Sequence, residues 1–427
     1  MLRLAAPLAL AELGWMAMGV VDVIMVGRLP ASADAIGAAS LGSALFYPIA
    51  IAAIGLLSGL DTLVSRAFGA NDVAAARRSL GSGLAIALAA SPIAIAVILD
   101  IVPLLSRLGV VAAVSDDAAG FIHILVWSLP LLLVYTCFRR YLQGIHCVGP
   151  VAFALVSSNL VNLLGNWILI FGHWGAPAMG VRGSALSTVV ARIYLAAFMA
   201  VAVHLKDPGA IRGLHASRKI AGQLLRLGFP AAATIGLEVG VFHTATVLAG
   251  MLDPVSLAAH TIVLNAAAVT YMVQVGLSSA AAVSVGRALG AGDREGAVRA
   301  GWTAMAIGVA AEICSAILFL GLPRQIADIY TIDARVIRVS ASLFAIAAGF
   351  QIFDGLQTVA TGALRGWGDT KSSMIWNLVS YWGIGLPVGW WLCFRLHWGI
   401  AGIWDGLWLA LIFTGIGLTV VLYRRAG

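Results

Sequence analysis

RAFGANDVAAARRS, residues 66–79, returns 221 positions later as RALGAGDREGAVRA, residues 287–300. Arg66/Arg287, Gly69/Gly290, Ala70/Ala291, Asp72/Asp293, Ala76/Ala297 and Arg78/Arg299 coincide. Upstream, Gly55/Gly276, Leu56/Leu277 and Ser58/Ser279 keep the same offset. Nearer the start, Pro7 aligns with Pro230 and Gly27 with Gly250, 223 positions apart. Chance does not give agreement over so many aligned positions, so the chain consists of two related halves.

The halves are membrane-embedded. Of 427 residues, 61% are hydrophobic and only 11% charged, where a soluble domain carries roughly 25% charged. Apolar runs of about 20 residues recur from end to end, each long enough to cross about 30 Å of hydrocarbon. Barrel strands would be about half that length and would alternate in polarity. The runs give twelve helical spans, at roughly 5–27, 36–64, 79–104, 119–138, 152–172, 181–203, 228–249, 256–284, 300–321, 340–361, 373–394 and 400–423.

Six spans per half is an even number, so both halves share one orientation. The repeat is parallel, with its pseudo-twofold axis along the membrane normal, a construction that transporters use. The expected architecture is therefore an all-α membrane protein of two six-helix bundles, residues 1–203 and 227–427. The basic stretch 204–226, HLKDPGAIRGLHASRKIAGQLLR, reads as a cytoplasmic linker between them.

Most of the 26 lysines and arginines fall in alternate loops on the side of the termini, which places both termini in the cytoplasm. The same clustering accounts for the net charge of +7, and the chain presents no nucleic-acid footprint. No cleavable signal peptide is expected, because the first apolar run follows Arg3 at once and leads into further spans. The cysteines Cys137, Cys147, Cys314 and Cys393 form no CxxC pair and have no metal-like spacing. There is no HExxH, GxSxG or Walker pattern, so no enzyme, cofactor or metal site is expected. Energy must then come from an ion gradient or a partner. The 13 tryptophans suit interfacial belts or the walls of a drug cavity.

Acids inside the spans need a reason, since a carboxylate at the bilayer centre costs about 2.5–3.5 kcal/mol. Glu12, Asp22, Asp61 and Asp405 lie nearer span ends, where interfacial water can solvate them. Glu238, Glu312 and Asp354 lie deep. Asp354 belongs to a stripe with Gln351, Thr358 and Thr361, whose spacings of 3, 4 and 3 put them on one helix face. Lipid cannot satisfy such a stripe, so it looks into a cavity or a bundle interior. Thr234 and Glu238 pair at i, i+4, and Asn159, Asn162 and Asn166 make a third polar face. For the asparagines, hydrogen bonding between helices competes with direct contact to cargo.

DVIMVG (22–27), SGLDT (58–62), RAFGA (66–70), the pair Pro230…Glu238 and FDGLQTVATGALRGWGDT (353–370) resemble the MATE family of multidrug and toxin extrusion transporters. The likeness runs over almost the whole chain, and Glu238 with Asp354 is similar to the NorM-like and eukaryotic branches. The resemblance implies a monomer of two six-helix bundles in a V, exporting cationic, often aromatic, compounds in exchange for protons or sodium. It implies that Glu238 and Asp354 are the cation-coupling acids and that Asp22 is the first-span acid used for protons or substrate. Some sodium-coupled members have a tyrosine one turn before the tenth-span aspartate. Here that position is Phe350, which offers no oxygen to a hard cation and tilts the expectation towards protons. Two facing acids in a dry site would exchange protons as a coupled pair, and a cationic drug would compete with those protons. A flippase for a lipid-linked saccharide would need a basic cavity, and Arg192 is the clearest basic group inside a span.

Overall fold

The computed structural model describes residues 1–30, 32–103, 112–212 and 214–426. The chain is helical: α1 (Leu2–Val26), α2 (Ser32–Leu56), α3 (Gly59–Gly69), α4 (Val73–Ile101), α5 (Ala112–Leu125), α6 (Leu129–Gly144), α7 (Gly149–Phe171), α8 (Val181–Lys206) and the short α9 (Pro208–Arg212) form the first series. The second is α10 (Arg218–Gly250), α11 (Pro254–Gly290), α12 (Arg294–Gly321), the short α13 (Pro323–Asp328), α14 (Ala334–Gly366), α15 (Lys371–Asn377), α16 (Leu386–Trp390) and α17 (Ile400–Ala426). Among the described residues, eleven helices or continuous helical stretches are long and apolar enough to cross a membrane. The expected span at 373–394 is present but not as one α-helix. α15 passes into a π-helical segment, Leu378–Gly385, then α16, then a second π-helical segment, Trp391–Arg395. π turns of this kind are uncommon and gather at functional sites.

The repeated stretch is a helix stop followed by a helix start. In the first copy, Asn71 takes a left-handed φ of 57°, the Asp72 amide reaches back to the Ala67 carbonyl, and the Asp72 carboxylate accepts from Ala75 N at 2.8 Å. In the second, Gly292 has φ 76°, Asp293 N reaches Ala288 O, and Asp293 accepts from Gly296 N at 2.7 Å. The terminal carbonyls of one helix and the terminal amides of the next are thus both satisfied. This explains why Gly-Ala-x-Asp recurs: the turn needs a residue that tolerates left-handed backbone, then a capping carboxylate.

The chain forms two compact units, residues 10–232 and residues 1–9 with 233–427. The first boundary falls inside α1 and the second inside α10, close to Pro7 and Pro230 respectively. Much of the expected linker is ordered on the first unit. α8 runs to Lys206 and α10 begins at Arg218. Between them, Asp207 accepts from Arg77 Nε at 3.0 Å, pairs with Arg77 Nη2 at 2.5 Å and receives the Tyr141 hydroxyl at 2.5 Å. Ser217 N donates to Ser82 Oγ at 3.0 Å.

In the second unit α14 is central, packed against α11, α12 and α17. Its sequence Gly362-x-x-x-Gly366 lies against Ser278 and Ala282 of α11, so the two backbones approach closely. Ser278 Oγ donates to the Thr358 carbonyl at 2.8 Å. This crossing sets the height at which the polar side chains of α11 and α14 meet.

Candidate functional site

In the second unit, the stripe on α14 meets polar groups from α10, α11 and α12. Gln351, Asp354 and Gln357 are three residues apart, so each is turned about 60° from the last around the helix. Gln351 Nε2 donates to Glu312 Oε2 at 3.4 Å and also to Thr270 Oγ1. Gln357 Nε2 donates to Glu238 Oε1 at 3.5 Å. Asp354, only 4% exposed, lies between these two glutamines and within electrostatic reach of both Glu238 and Glu312. Thus Glu238 and Asp354 are brought into one neighbourhood, and Glu312 joins them.

The site is rich in acceptors and poor in donors. Asp354 Oδ1, Glu312 Oε1, Gln274 Oε1, Gln351 Oε1, Gln357 Oε1 and Thr358 Oγ1 are buried without a hydrogen-bond partner among the described residues. Among the described residues, no lysine, arginine or histidine is paired with any of the three acids. An isolated buried carboxylate is costly, so a proton or a cation belongs with these groups. Among the described residues, no three His, Cys, Asp or Glu side chains come together to hold a metal ion.

Two tyrosines that sequence reasoning passed over complete the site. The Tyr271 hydroxyl lies against Glu238 and Thr358. Tyr381, in the first π-helical segment, is fully buried, its hydroxyl has no hydrogen-bond partner among the described residues, and it lies within electrostatic reach of Glu238, Asp354 and Tyr271. Its neighbour Trp382 donates from Nε1 to the Leu237 carbonyl at 3.1 Å, fastening the π turn to α10 beside Glu238. Phe350 packs into the core, with ring centroids 6.1 Å from Phe242 and 5.5 Å from Trp404. Phe242 in turn meets Tyr381 at 6.3 Å. Thr234 is buried one turn before Glu238, and Thr361 is half-buried at the far end of the stripe. A cavity of about 520 Å³ lined by Leu257, Thr261, Asn265, Tyr330 and Thr331 contains none of these acids.

The first unit carries its own polar centre. Asp22 accepts from Asn166 Nδ2 at 2.7 Å and from Thr188 Oγ1 at 3.1 Å. Asn162 supports Asn166 at 3.3 Å and is linked through Ser187 to α8. Asn159 turns elsewhere: its amide donates to the Gly14 carbonyl of α1 at 2.9 Å, a bond between helices. Arg192, one turn beyond Thr188, is buried over the Phe46 ring at 4.9 Å and donates to Ser128 Oγ at 2.5 Å.

Interfacial water does not account for two of the acids nearer span ends. Glu12 pairs with Arg139, and Asp61, fully buried, pairs with Arg140. Their partners come from α6, far along the chain, and replace the solvent expected at those positions.

The sequence and the fold have counterparts in known proteins. The MatE family model matches twice, over residues 7–168 and 230–391, beginning at the aligned Pro7 and Pro230. The chain is similar to the "Probable multidrug resistance protein NorM" of Pseudomonas aeruginosa, 34% identical, covering 98% of this chain and 88% of that one. It is also similar to the "Multidrug resistance protein NorM" of Burkholderia vietnamiensis, 35% identical over 95% of this chain and 89% of the relative. The crystal structure of the eukaryotic MATE transporter AtDTX14 superposes with a TM-score of 0.90 at 21% identity, covering 100% of this chain and 97% of that one.

Proposed function

This chain belongs to the MatE family and is therefore a transporter and not an enzyme, and we propose that it expels organic cations in exchange for protons by alternating access. The observation that carries the proposal is a cluster of three acids, the buried Asp354 and Glu312 and the half-buried Glu238, with no basic partner among the described residues. Such a cluster attracts positive charge, which suits a cationic cargo and not a pyrophosphate. The curated relatives are named for multidrug resistance, which supports drugs and toxins as cargo. The aromatic side chains of Phe242, Tyr271 and Tyr381 beside the acids supply apolar burial and cation–π contact for flat cations.

The exchange follows from competition. When the site is open to the outside, Asp354 and Glu238 take up protons. When it is open to the cytoplasm, an organic cation replaces a proton at the same carboxyl, and the proton leaves to water. Gln357 holds Glu238, and Gln351 and the Ser278–Thr358 bond fix the face on which Asp354 lies. Inward proton movement gains about 2.3 kcal/mol per charge per 100 mV. In this reading both termini are cytoplasmic, the chain acts as a monomer, and Asp22 is a second proton or substrate group in the first unit.

Sodium is the second reading. It is favoured by the side-chain oxygens of Gln274, Gln351 and Gln357, which have no hydrogen-bond partner among the described residues, because a hard cation seeks several such oxygens. Replacing Asp354 by Asn or Glu238 by Gln keeps shape and removes the charge. Each variant should fold and lose coupled efflux of an organic cation. Efflux at the unmodified rate from Asp354→Asn would remove the assignment.

A further inference from the structure

We propose that Glu312 is a third proton-exchanging carboxyl of the second unit, connected to Asp354 and distinct from the Glu238 position. This rests on the proton-exchange reading of Glu238 and Asp354 given above.

The geometry points to Glu312 in four ways. It is fully buried in the middle of α12, and its Oε1 has no hydrogen-bond partner among the described residues. Its Oε2 receives only the long 3.4 Å bond from Gln351. Space is kept for it: a Cβ on Gly355 would sit 2.5 Å from Glu312 Cγ and 3.4 Å from Gln274 Oε1. Finally, its surroundings supply only neutral donors. Gln274 gives one amide hydrogen to the Gly308 carbonyl at 3.3 Å, and its oxygen, in Glu312's neighbourhood, has no hydrogen-bond partner among the described residues. One proton on Glu312 Oε1 would donate to such an amide oxygen and satisfy two orphaned acceptors at once.

The groups facing Glu312 are few. α11 presents Gln274 and, through Gln351, Thr270. α14 presents Gln351 and Asp354, of which only Asp354 titrates. α12 itself adds Ser315, whose hydroxyl already donates to Ala311 O at 3.2 Å. No cation among the described residues faces it, so nothing but a proton, or an ion in its place, neutralises it.

The fan on α14 then has a purpose. Gln357 reaches Glu238, Gln351 reaches Glu312, and Asp354 stands between them. A proton on Glu312 leaves by transfer to the Asp354 carboxylate: the O–H bond at Glu312 breaks and one forms at Asp354. From Asp354 the proton passes to water when the site opens. A cargo cation held at Glu238 and Asp354 thereby draws a proton from a carboxyl it does not touch, and each cargo displaces more protons than one shared carboxyl supplies.

The test uses the full-length protein in sodium-free, weakly buffered detergent solution. Ethidium is the cationic probe, its binding followed by fluorescence anisotropy and released protons by a soluble pH indicator. At ethidium concentrations that give equal occupancy, Glu312→Gln should release clearly fewer protons per bound ethidium than the unmodified protein. Asp354→Asn is measured alongside. Unmodified proton release from Glu312→Gln between pH 5 and 8, with release lost in Asp354→Asn, overturns the role of Glu312 and leaves the acid-pair reading intact. No release from the unmodified protein overturns both. If Glu312→Gln fails to fold, Gln351→Leu carries the test, since it keeps the carboxyl and cuts its tie to α14. A shifted pH midpoint of release supports the proposal, and an unmoved midpoint overturns it.

Discussion

Replacing Gly362 by Ala should disturb the site without altering any of its acids, glutamines or tyrosines. The added methyl would run into the Ser278 carbonyl of α11, whose carbon lies 2.7 Å from the Cβ position. Carbon–carbon contacts relax at about 3.5–4.0 Å, so α14 and α11 must separate by roughly 1 Å. Overpacking of this kind costs about 1–3 kcal/mol. The same shift stretches the 2.8 Å bond from Ser278 Oγ to the Thr358 carbonyl past hydrogen-bond range, at a further cost of about 1 kcal/mol. The sum is roughly 2–4 kcal/mol. It falls on the two helices that carry Tyr271 and Gln274 on one side and Gln351 and Asp354 on the other. Thermal unfolding in detergent at a fixed scan rate should show a clearly lower midpoint, and cation transport per folded molecule should fall with it. Gly222→Ala is the control, because its Cβ position has no non-local atom within 4 Å. Equal midpoints and equal transport for the two variants would refute the argument that the α11–α14 crossing sets the site.

Two further outcomes follow from named contacts. Burial pushes the Asp207 carboxyl up, but the Arg77 guanidinium and the Tyr141 hydroxyl outweigh it and hold the group below its ordinary value of 3.8. A depressed carboxyl stabilises the fold above its unfolded value, and that contribution is lost as pH falls through the folded one. Unfolding midpoints should therefore drop below about pH 4, and Arg77→Ala should flatten that acid limb while costing about 1–2 kcal/mol at neutral pH. Tyr381→Phe removes a buried hydroxyl that has no hydrogen-bond partner among the described residues, so the unfolding midpoint should hold or rise. Ethidium transport should nonetheless fall, because the hydroxyl lies within electrostatic reach of the acids; unchanged transport would exclude Tyr381 from the site.

The architecture was legible because its signals are local. Twenty-residue apolar runs and a repeated turn sequence need only neighbours along the chain, and both prescribe a definite geometry. The stripe Gln351–Asp354–Thr358–Thr361 was legible for the same reason: helical periodicity alone puts it on one face. What escaped depended on residues distant in sequence. Arg139 and Arg140 meet Glu12 and Asp61 across many intervening residues, so acids that looked interfacial are ion-paired. Asn166 and Thr188 converge on Asp22 from α7 and α8, and the asparagine ladder alone gave no hint of which rung would reach it. Tyr381 was hidden in an apolar run whose period is not that of an α-helix, since a π turn changes which side chains face inward. Phe350 offers no oxygen at its own position, and the hydroxyls of Tyr271 and Tyr381, within electrostatic reach of the acids from other elements, could not be read from the stripe on α14.

The central claim is that buried acids in the second unit exchange protons for organic cations. The most direct measurement is ethidium uptake into proteoliposomes under an imposed proton gradient and, separately, an imposed sodium gradient, for the unmodified protein and Asp354→Asn. The account predicts uptake driven by protons alone and lost in the variant. Uptake driven by sodium alone would contradict the proton assignment and turn attention to the orphaned oxygens of Gln274, Gln351 and Gln357 as its ligands.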